Sequence, residues 1–167
     1  LPGTHLIRAH ENLGFARACN RGANQATAQY LLFLNPDARL LPDTVRTVCD
    51  YMDREDAKSV GICGVRLLNE HGDLHRHCAR FPSLRTYLGL AFGLTAVLPR
   101  HFPPHFMLEF DHQTSREVDQ VMGAFFFVRR ELFNALRGFD ERFFVYFEEV
   151  DFSLRAKRQG WSTYYLA

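Results

Sequence analysis

The first seventy residues alternate between apolar patterns of two periods, and this alternation constrains the fold more than any other feature. "THLIRA" (4–9) predicts a short strand. "NLGFARACNRGANQATAQ" (12–29) spaces Phe15, Ala18, Cys19, Gly22, Ala23 and Ala26 as a helix would. "YLLFL" (30–34) is apolar throughout and predicts a buried strand. "PDTVRTVCDYMDRED" (42–56) predicts a helix with Asp43 as N-cap and Val45, Val48, Cys49 and Met52 along one face. "SVGICGVRLL" (59–68) predicts another strand, turning at "NEHGD". Strand, helix, strand, helix, strand with right-handed crossovers argues for an α/β fold, a largely parallel sheet flanked by helices.

After residue 75 the pattern loosens. Residues 84–116 predict a short helix and then a long connection containing Pro99, Pro103 and Pro104. "EVDQVMGAFFFVRR" (117–130) predicts one strand with Gly123 in its middle, the mark of a bulge or a close backbone approach. "RELFNALRGF" predicts a helix with Gly138 at C′. "EEVDFSLRAKRQGW" (148–161) predicts a second helix closed by Gly160, and "STYYLA" a last strand. The alternation is already under way at the first residue, so the expectation is a fragment, truncated at both ends.

The composition excludes several classes. The 167 residues suit one domain, and 47% hydrophobic against 23% charged residues is a globular balance. With 20 basic and 19 acidic side chains there is no general attraction to polyanions, which argues against nucleic acid as a partner. Cys19, Cys49, Cys63 and Cys78 form no CxxC pair and read as free thiols in a reducing compartment. "YLGLAFGLTAVLP" (87–99) is too short to span a bilayer, which takes ~20 residues, and reads as a core helix or a segment touching an interface.

Three constellations can carry chemistry. The first is Asn35-Pro36-Asp37, directly after the 30–34 strand. Pro36 ends ladder pairing, and the carboxyl end of a strand is where open α/β sheets bind ligands. Asp37 there can offer an oxygen to Mg²⁺ or Mn²⁺, although Asn-Pro-Asp also makes an ordinary turn. The second is "EEVD" (148–151), after the aromatic run "FFVYF". Paired acids suit proton transfer, yet acids also favour the first helical turn through the dipole, and Asp151 can pair with Arg155 at i,i+4. The third, "HGDLHRHC" (71–78), has zinc-type ligands in His71, His75, His77 and Cys78. It reads as a turn with no second cluster to complete a closed site, so it is expected to be structural.

Taken together, "NLGFARACNRGA", "YLLFLNPDARL", "RFPS" and the block from Val118 to Trp161 resemble bacterial family 2 glycosyltransferases, most closely their rhamnosyltransferase-like branch. The resemblance covers nearly the whole chain. It implies a GT-A fold, a single domain over 1–167, with a nucleotide- and metal-binding part (1–75) and an acceptor-binding and base-carrying part (76–167). It further implies inverting transfer from a nucleotide-diphosphate sugar (dTDP- or UDP-linked) to a saccharide or lipid-linked acceptor of the cell envelope, with Mg²⁺ or Mn²⁺. By position, Asp37 matches the last acid of the metal-binding DxD-type motif, whose first place is Asn35 here. Asn12, Gly14, Phe15 and Asn20 match the nucleotide-pocket segment, and Gly123 and Ala124 the segment approaching donor sugar and acceptor. Glu148 and Glu149 match the Glu-Asp pair whose second member is the base, with glutamate standing at 149 where relatives have aspartate; Asp151 is the rival base. The family's opening strand would precede Leu1, and a histidine that can complete the metal site would follow Ala167. A cytoplasmic location with peripheral contact at the inner membrane face, and self-association through an uncovered sheet edge, complete the expectations. The competing class is a non-catalytic nucleotide-sugar-binding or interaction module of the same fold.

Overall fold

The structure, a computed structural model, describes residues 3–167. In chain order it contains α1 (Phe15–Ala23), β1 (Tyr30–Leu34), α2 (Thr44–Met52), β2 (Val60–Val65), β3 (Leu67–Leu68), β4 (Leu74–His75), α3 (Leu84–Ala91) and α4 (Leu94–Val97). Then follow β5 (Arg116–Val118), β6 (Phe125–Arg129), α5 (Arg130–Ala135), α6 (Glu148–Arg158) and β7 (Ser162–Leu166). Five strands form one sheet in the order β1-β6-β2-β7-β5, and β3 and β4 make a separate hairpin.

The α/β class holds, but the sheet is mixed. β1, β2 and β7 run the same way, as the crossovers require, yet only β2 and β7 are parallel neighbours. β6 lies antiparallel between β1 and β2, and β5 runs antiparallel to β7. The sheet therefore interleaves the two halves of the chain. Two further expectations fail. Thr4–Ala9 forms no strand, leaving β1 at the sheet edge. The single strand expected over 117–130 is two strands on either side of the β2–β7 pair, because the chain leaves the sheet after Val118 and re-enters at Phe125.

The alternation in β6 shows how both faces are filled. Phe126 and Val128 join Ala16, Leu31, Phe33, Leu132, Phe133, Phe139 and Phe152 on the α1/α5/α6 side. Phe125 and Phe127 join Val48, Met52, Val60 and Cys63 on the α2 side. A central strand covered on both faces has no polar face, which is why this run is phenylalanine-rich. In β2 the register shifts between Val60 and Ile62. Gly61 sits there because a Cβ would collide with the Leu132 side chain.

Helix ends follow the expected chemistry in part. Gly160 closes α6 at C′ with φ 85°. In α5 the C′ residue is Arg137, not Gly138. Arg137 takes φ 58° and donates to the Asn134 carbonyl, while Gly138 donates to Phe133. Asp43 precedes α2 but takes a left-handed φ of 62° and makes no side-chain cap; it pairs instead with exposed Arg46 at 3.4 Å.

One polar residue anchors the core from within. Buried Arg129 donates to the carbonyls of Val60 (2.8 Å), Met52 (2.6 Å) and Ala57 (3.1 Å), and to the Tyr30 hydroxyl (3.3 Å). Its guanidinium thus satisfies the turn after α2 and stacks over the Tyr30 ring.

Candidate active site at the carboxyl end of β1

Leu34, the last residue of β1, pairs with Phe125, the first of β6, and the Asn35 amide donates to the Ala124 carbonyl at 3.2 Å. The Asn35–Ala38 turn and the Gly123–Ala124 segment are thereby joined at one edge of the sheet. Asp37 is exposed on that turn and Asn35 half-buried.

Glu149 reaches the same place from α6. The Glu149 carboxyl lies beside Gly123, at ordinary contact distance (3.8 Å) from where a Cβ would stand. The Gly123, Glu149 and Val150 amides favour the ionised carboxylate, but burial outweighs them and raises its pKa above the ordinary glutamate value. Oε2 of Glu149 is buried with no hydrogen-bond partner, and so is Oε2 of Glu148. Glu148 is only 5% exposed, and burial and then the Glu149 charge push it upward too. Two neighbouring carboxylates held above their usual range with uncommitted oxygens are suited to accepting a proton, and they are costly to keep for structure alone. Asp151 differs. Its Oδ2 accepts from Arg155 Nε at 2.7 Å, and Arg155 also binds the Leu136 and Gly138 carbonyls, so this acid helps fasten the end of α5 to α6.

The Asn12–Phe15 segment meets the site through the aromatic loop. Phe15 donates its amide to the Phe144 carbonyl at 2.8 Å. Gly14 has φ 74°, receives the Asn12 side-chain oxygen on its amide at 3.0 Å, and would place a Cβ 2.5 Å from that same carbonyl. Gly14→Ala should therefore displace the 144–147 loop and cost about 1–3 kcal/mol, from strain at positive φ and overpacking, as a urea midpoint would show. Tyr146 and Phe147 both take φ 69°, an unfavourable conformation for bulky side chains, immediately before Glu148. The two residues are 74% and 48% exposed, so the strain leads into the acidic turn from an exposed aromatic pair.

The Asn20 side chain is engaged elsewhere. Its amide donates to the Phe139 carbonyl (2.9 Å) and Glu141 (3.1 Å), and its oxygen accepts from the Phe139 amide (2.9 Å). It ties α1 to the loop after α5. Two clefts lie elsewhere. The larger, about 360 Å³, is lined by Thr27, Gln29, Arg129, Arg130 and Glu131, at the opposite end of the β1–β6 pair where Tyr30 faces Arg129. At the Leu34–Phe125 convergence the unpartnered carboxylates mark the candidate chemistry.

Within the histidine segment His71 and His75 are exposed, and His77 is built into the fold. Buried His77 takes the Met122 amide on Nδ1 (3.4 Å) and bonds the Val65 carbonyl through Nε2 (3.0 Å). Burial first, then the neighbouring histidines, lower its pKa to about 4. His112, which sequence reasoning did not single out, is fully buried and bridges the Cys78 amide and the Phe110 carbonyl. The cysteines are free, and burial pushes Cys19, Cys63 and Cys78 up to about 12.

Among the described residues no three His, Cys, Asp or Glu side chains converge on a metal position. The donor set at the site is one exposed carboxylate, Asp37, beside an amide, Asn35. That set fits a hard cation of the Mg²⁺ type, which takes one or two carboxylates and completes its shell with substrate phosphate and water.

Comparison with known proteins identifies the family. Residues 1–137 match the profile of Glycosyl transferase family 2. The chain is 26% identical over 181 residues to N-acetylglucosaminyl-diphospho-decaprenol L-rhamnosyltransferase of Mycobacterium tuberculosis (strain ATCC 25618 / H37Rv), covering 99% of this chain and 57% of that protein. It is 29% identical over 142 residues to Rhamnosyltransferase WbbL of Escherichia coli (strain K12), covering 84% of this chain and 50% of the relative. O-antigen biosynthesis protein RfbC of Myxococcus xanthus is 30% identical over 142 residues, 84% of this chain and 10% of the relative. The chain spans about half the length of the rhamnosyltransferases it matches. It belongs to glycosyl transferase family 2.

Proposed function

We propose that this chain forms the GT-A-type catalytic part of an inverting glycosyltransferase that moves a sugar from a nucleotide-diphosphate donor, dTDP- or UDP-linked, to a saccharide or lipid-linked acceptor of the cell envelope. The observation that carries the reading is the buried, unpartnered Glu149 oxygen beside Gly123, at the edge where the Asn35–Asp37 turn is joined to Ala124. The rhamnosyltransferase relatives support a 6-deoxyhexose donor, and the mycobacterial one a polyprenyl-diphosphate-linked acceptor.

Asp37 with Asn35 would hold Mg²⁺ or Mn²⁺, which supplies charge neutralisation for the departing diphosphate. Asn12, Gly14 and Phe15 form the donor side, held against Phe144. Glu149 takes the proton of an acceptor hydroxyl as that oxygen bonds the anomeric carbon. The bond from this carbon to the diphosphate oxygen breaks on the opposite face, the diphosphate leaves with the bonding pair, and configuration inverts. Burial is what holds Glu149 basic, and its charge in turn raises the pKa of buried Glu148.

A panel of nucleotide-diphosphate sugars, scored by thermal shift with and without Mn²⁺, tests the donor half. A cognate donor at ~100-fold its dissociation constant should stabilise by about 2.7 kcal/mol, a rise of roughly 5–10 °C for a domain of this size. Asp37→Asn should abolish the Mn²⁺-dependent part while its own melting temperature stays close to that of the wild type. Mn²⁺-dependent binding that survives this change would remove Asp37 from the metal site. Binding without turnover on any acceptor would favour the non-catalytic module.

A further inference from the structure

α3 is built inside out. Its inward positions are Thr86 and Gly89, both buried, and Gly89 packs so closely on Phe102 and Thr95 that a Cβ would lie 2.7 Å from each. The opposite stripe, at i, i+3, i+4 and i+7, is Leu84, Tyr87, Leu88 and Ala91, all apolar. Leu84 is 74% exposed and Tyr87 54%. The exposure continues through Leu90, Phe92, Val97 at the end of α4 and Leu98 just after it. A helix of a water-facing surface shows the reverse arrangement, and an exposed apolar area of this extent marks an interaction site.

The charge around the patch indicates what covers it. From Leu74 to Leu108 the chain has no aspartate or glutamate, but it has four arginines. Arg80 is paired with Glu109, and Arg76 binds the Leu108 carbonyl. Arg85, within α3, and Arg100, just after α4, are exposed and have no carboxylate within ion-pair distance among the described residues. Apolar side chains rimmed by free arginines and lacking acids complement a surface with an oily interior and anionic headgroups. No described helix is long and apolar enough to cross a membrane, so the contact is one of lying on the surface.

We propose that α3 and α4 dock the protein onto an anionic lipid surface, with Leu84, Tyr87, Leu88, Phe92 and Val97 entering the headgroup region and Arg85 and Arg100 engaging lipid phosphates. Docking requires no sugar transfer and is read without donor or acceptor.

Flotation of the full chain with vesicles of phosphatidylcholine alone, or of phosphatidylcholine with about 30% phosphatidylglycerol to give a negative surface potential, tests this. Binding should require the anionic lipid and weaken as salt rises. Leu84→Ser/Tyr87→Ser/Leu88→Ser should reduce the bound fraction at least tenfold, and Arg85→Gln/Arg100→Gln about 20–30-fold, at roughly fivefold per arginine. These side chains point outward, so far-UV circular dichroism and the melting temperature should stay at wild-type values. Equal binding to both vesicle types, or binding unchanged by the apolar triple variant, would overturn the proposal. So would an absence of vesicle binding together with self-association, seen by light scattering, that the triple variant abolishes; the occupant would then be a second copy of this chain.

Discussion

Glu149→Gln should change activity and stability in opposite directions. Transfer should fall by about 10²–10⁴-fold, the usual worth of a positioned general base, while donor binding is retained. Stability at neutral pH should rise. The folded-state pKa of Glu149 lies above its unfolded value because burial penalises the charge. A group raised in this way adds stability that is fully present below the unfolded pKa, about 4.3, and is lost as pH rises through the folded value. Ionised Glu149 is therefore a cost at pH 7 that glutamine removes, and the gain in melting temperature should vanish near pH 4. Glu149→Asp should retain more transfer than Glu149→Gln, since charge remains and only reach is shortened. Asp151→Asn should behave in the opposite way: chemistry largely kept, with a small stability loss of about 0.5–1 kcal/mol from the half-exposed pair with Arg155.

The second large effect is structural. Arg129→Met should destabilise the fold by about 3–5 kcal/mol, a drop of roughly 6–20 °C. The substitution conserves much of the stem but leaves the buried carbonyls of Met52, Ala57 and Val60 without their donor. A native domain has only about 5–15 kcal/mol to lose. Arg130, next in sequence but half-buried at the start of α5, makes none of these bonds, so Arg130→Met should stay within about 0.5 kcal/mol. Urea unfolding midpoints of the two variants side by side would separate the roles.

How far the sequence speaks depends on the range of the interaction. β1 matches its apolar run at both ends, and β7 and α6 lie where local period and Gly160 put them. Those are contacts along the chain. The insertion of β6 between β1 and β2 is not local: β6 is separated from β1 by some ninety residues, and no pattern within "GAFFFVRR" states its partners. The same limit explains the division of 117–130, where Val118 and Phe125 look like one run but pair with opposite parts of the sheet. Asn20 shows the limit at the site. It stands at a position associated with nucleotide binding, and its amide is engaged by Phe139 and Glu141, more than a hundred residues away. Arg129 and His112 were missed because a buried arginine or histidine is recognised only by the carbonyls and amides around it. Gly123 is expected to mark a bulge or a close backbone approach; the fold puts the Glu149 carboxyl beside it at ordinary contact distance, which no local pattern states.

The most direct test of the central claim, that Glu149 accepts the acceptor proton at the edge formed by β1 and Gly123, is the pH dependence of single-turnover transfer at saturating donor. It should be measured for the wild type, Glu149→Gln and Asp151→Asn. The account predicts an acid limb in the wild type with its midpoint above the ordinary glutamate value, the same limb in Asp151→Asn, and a flat, slow profile in Glu149→Gln. An unchanged limb in Glu149→Gln, or its loss in Asp151→Asn alone, would contradict it.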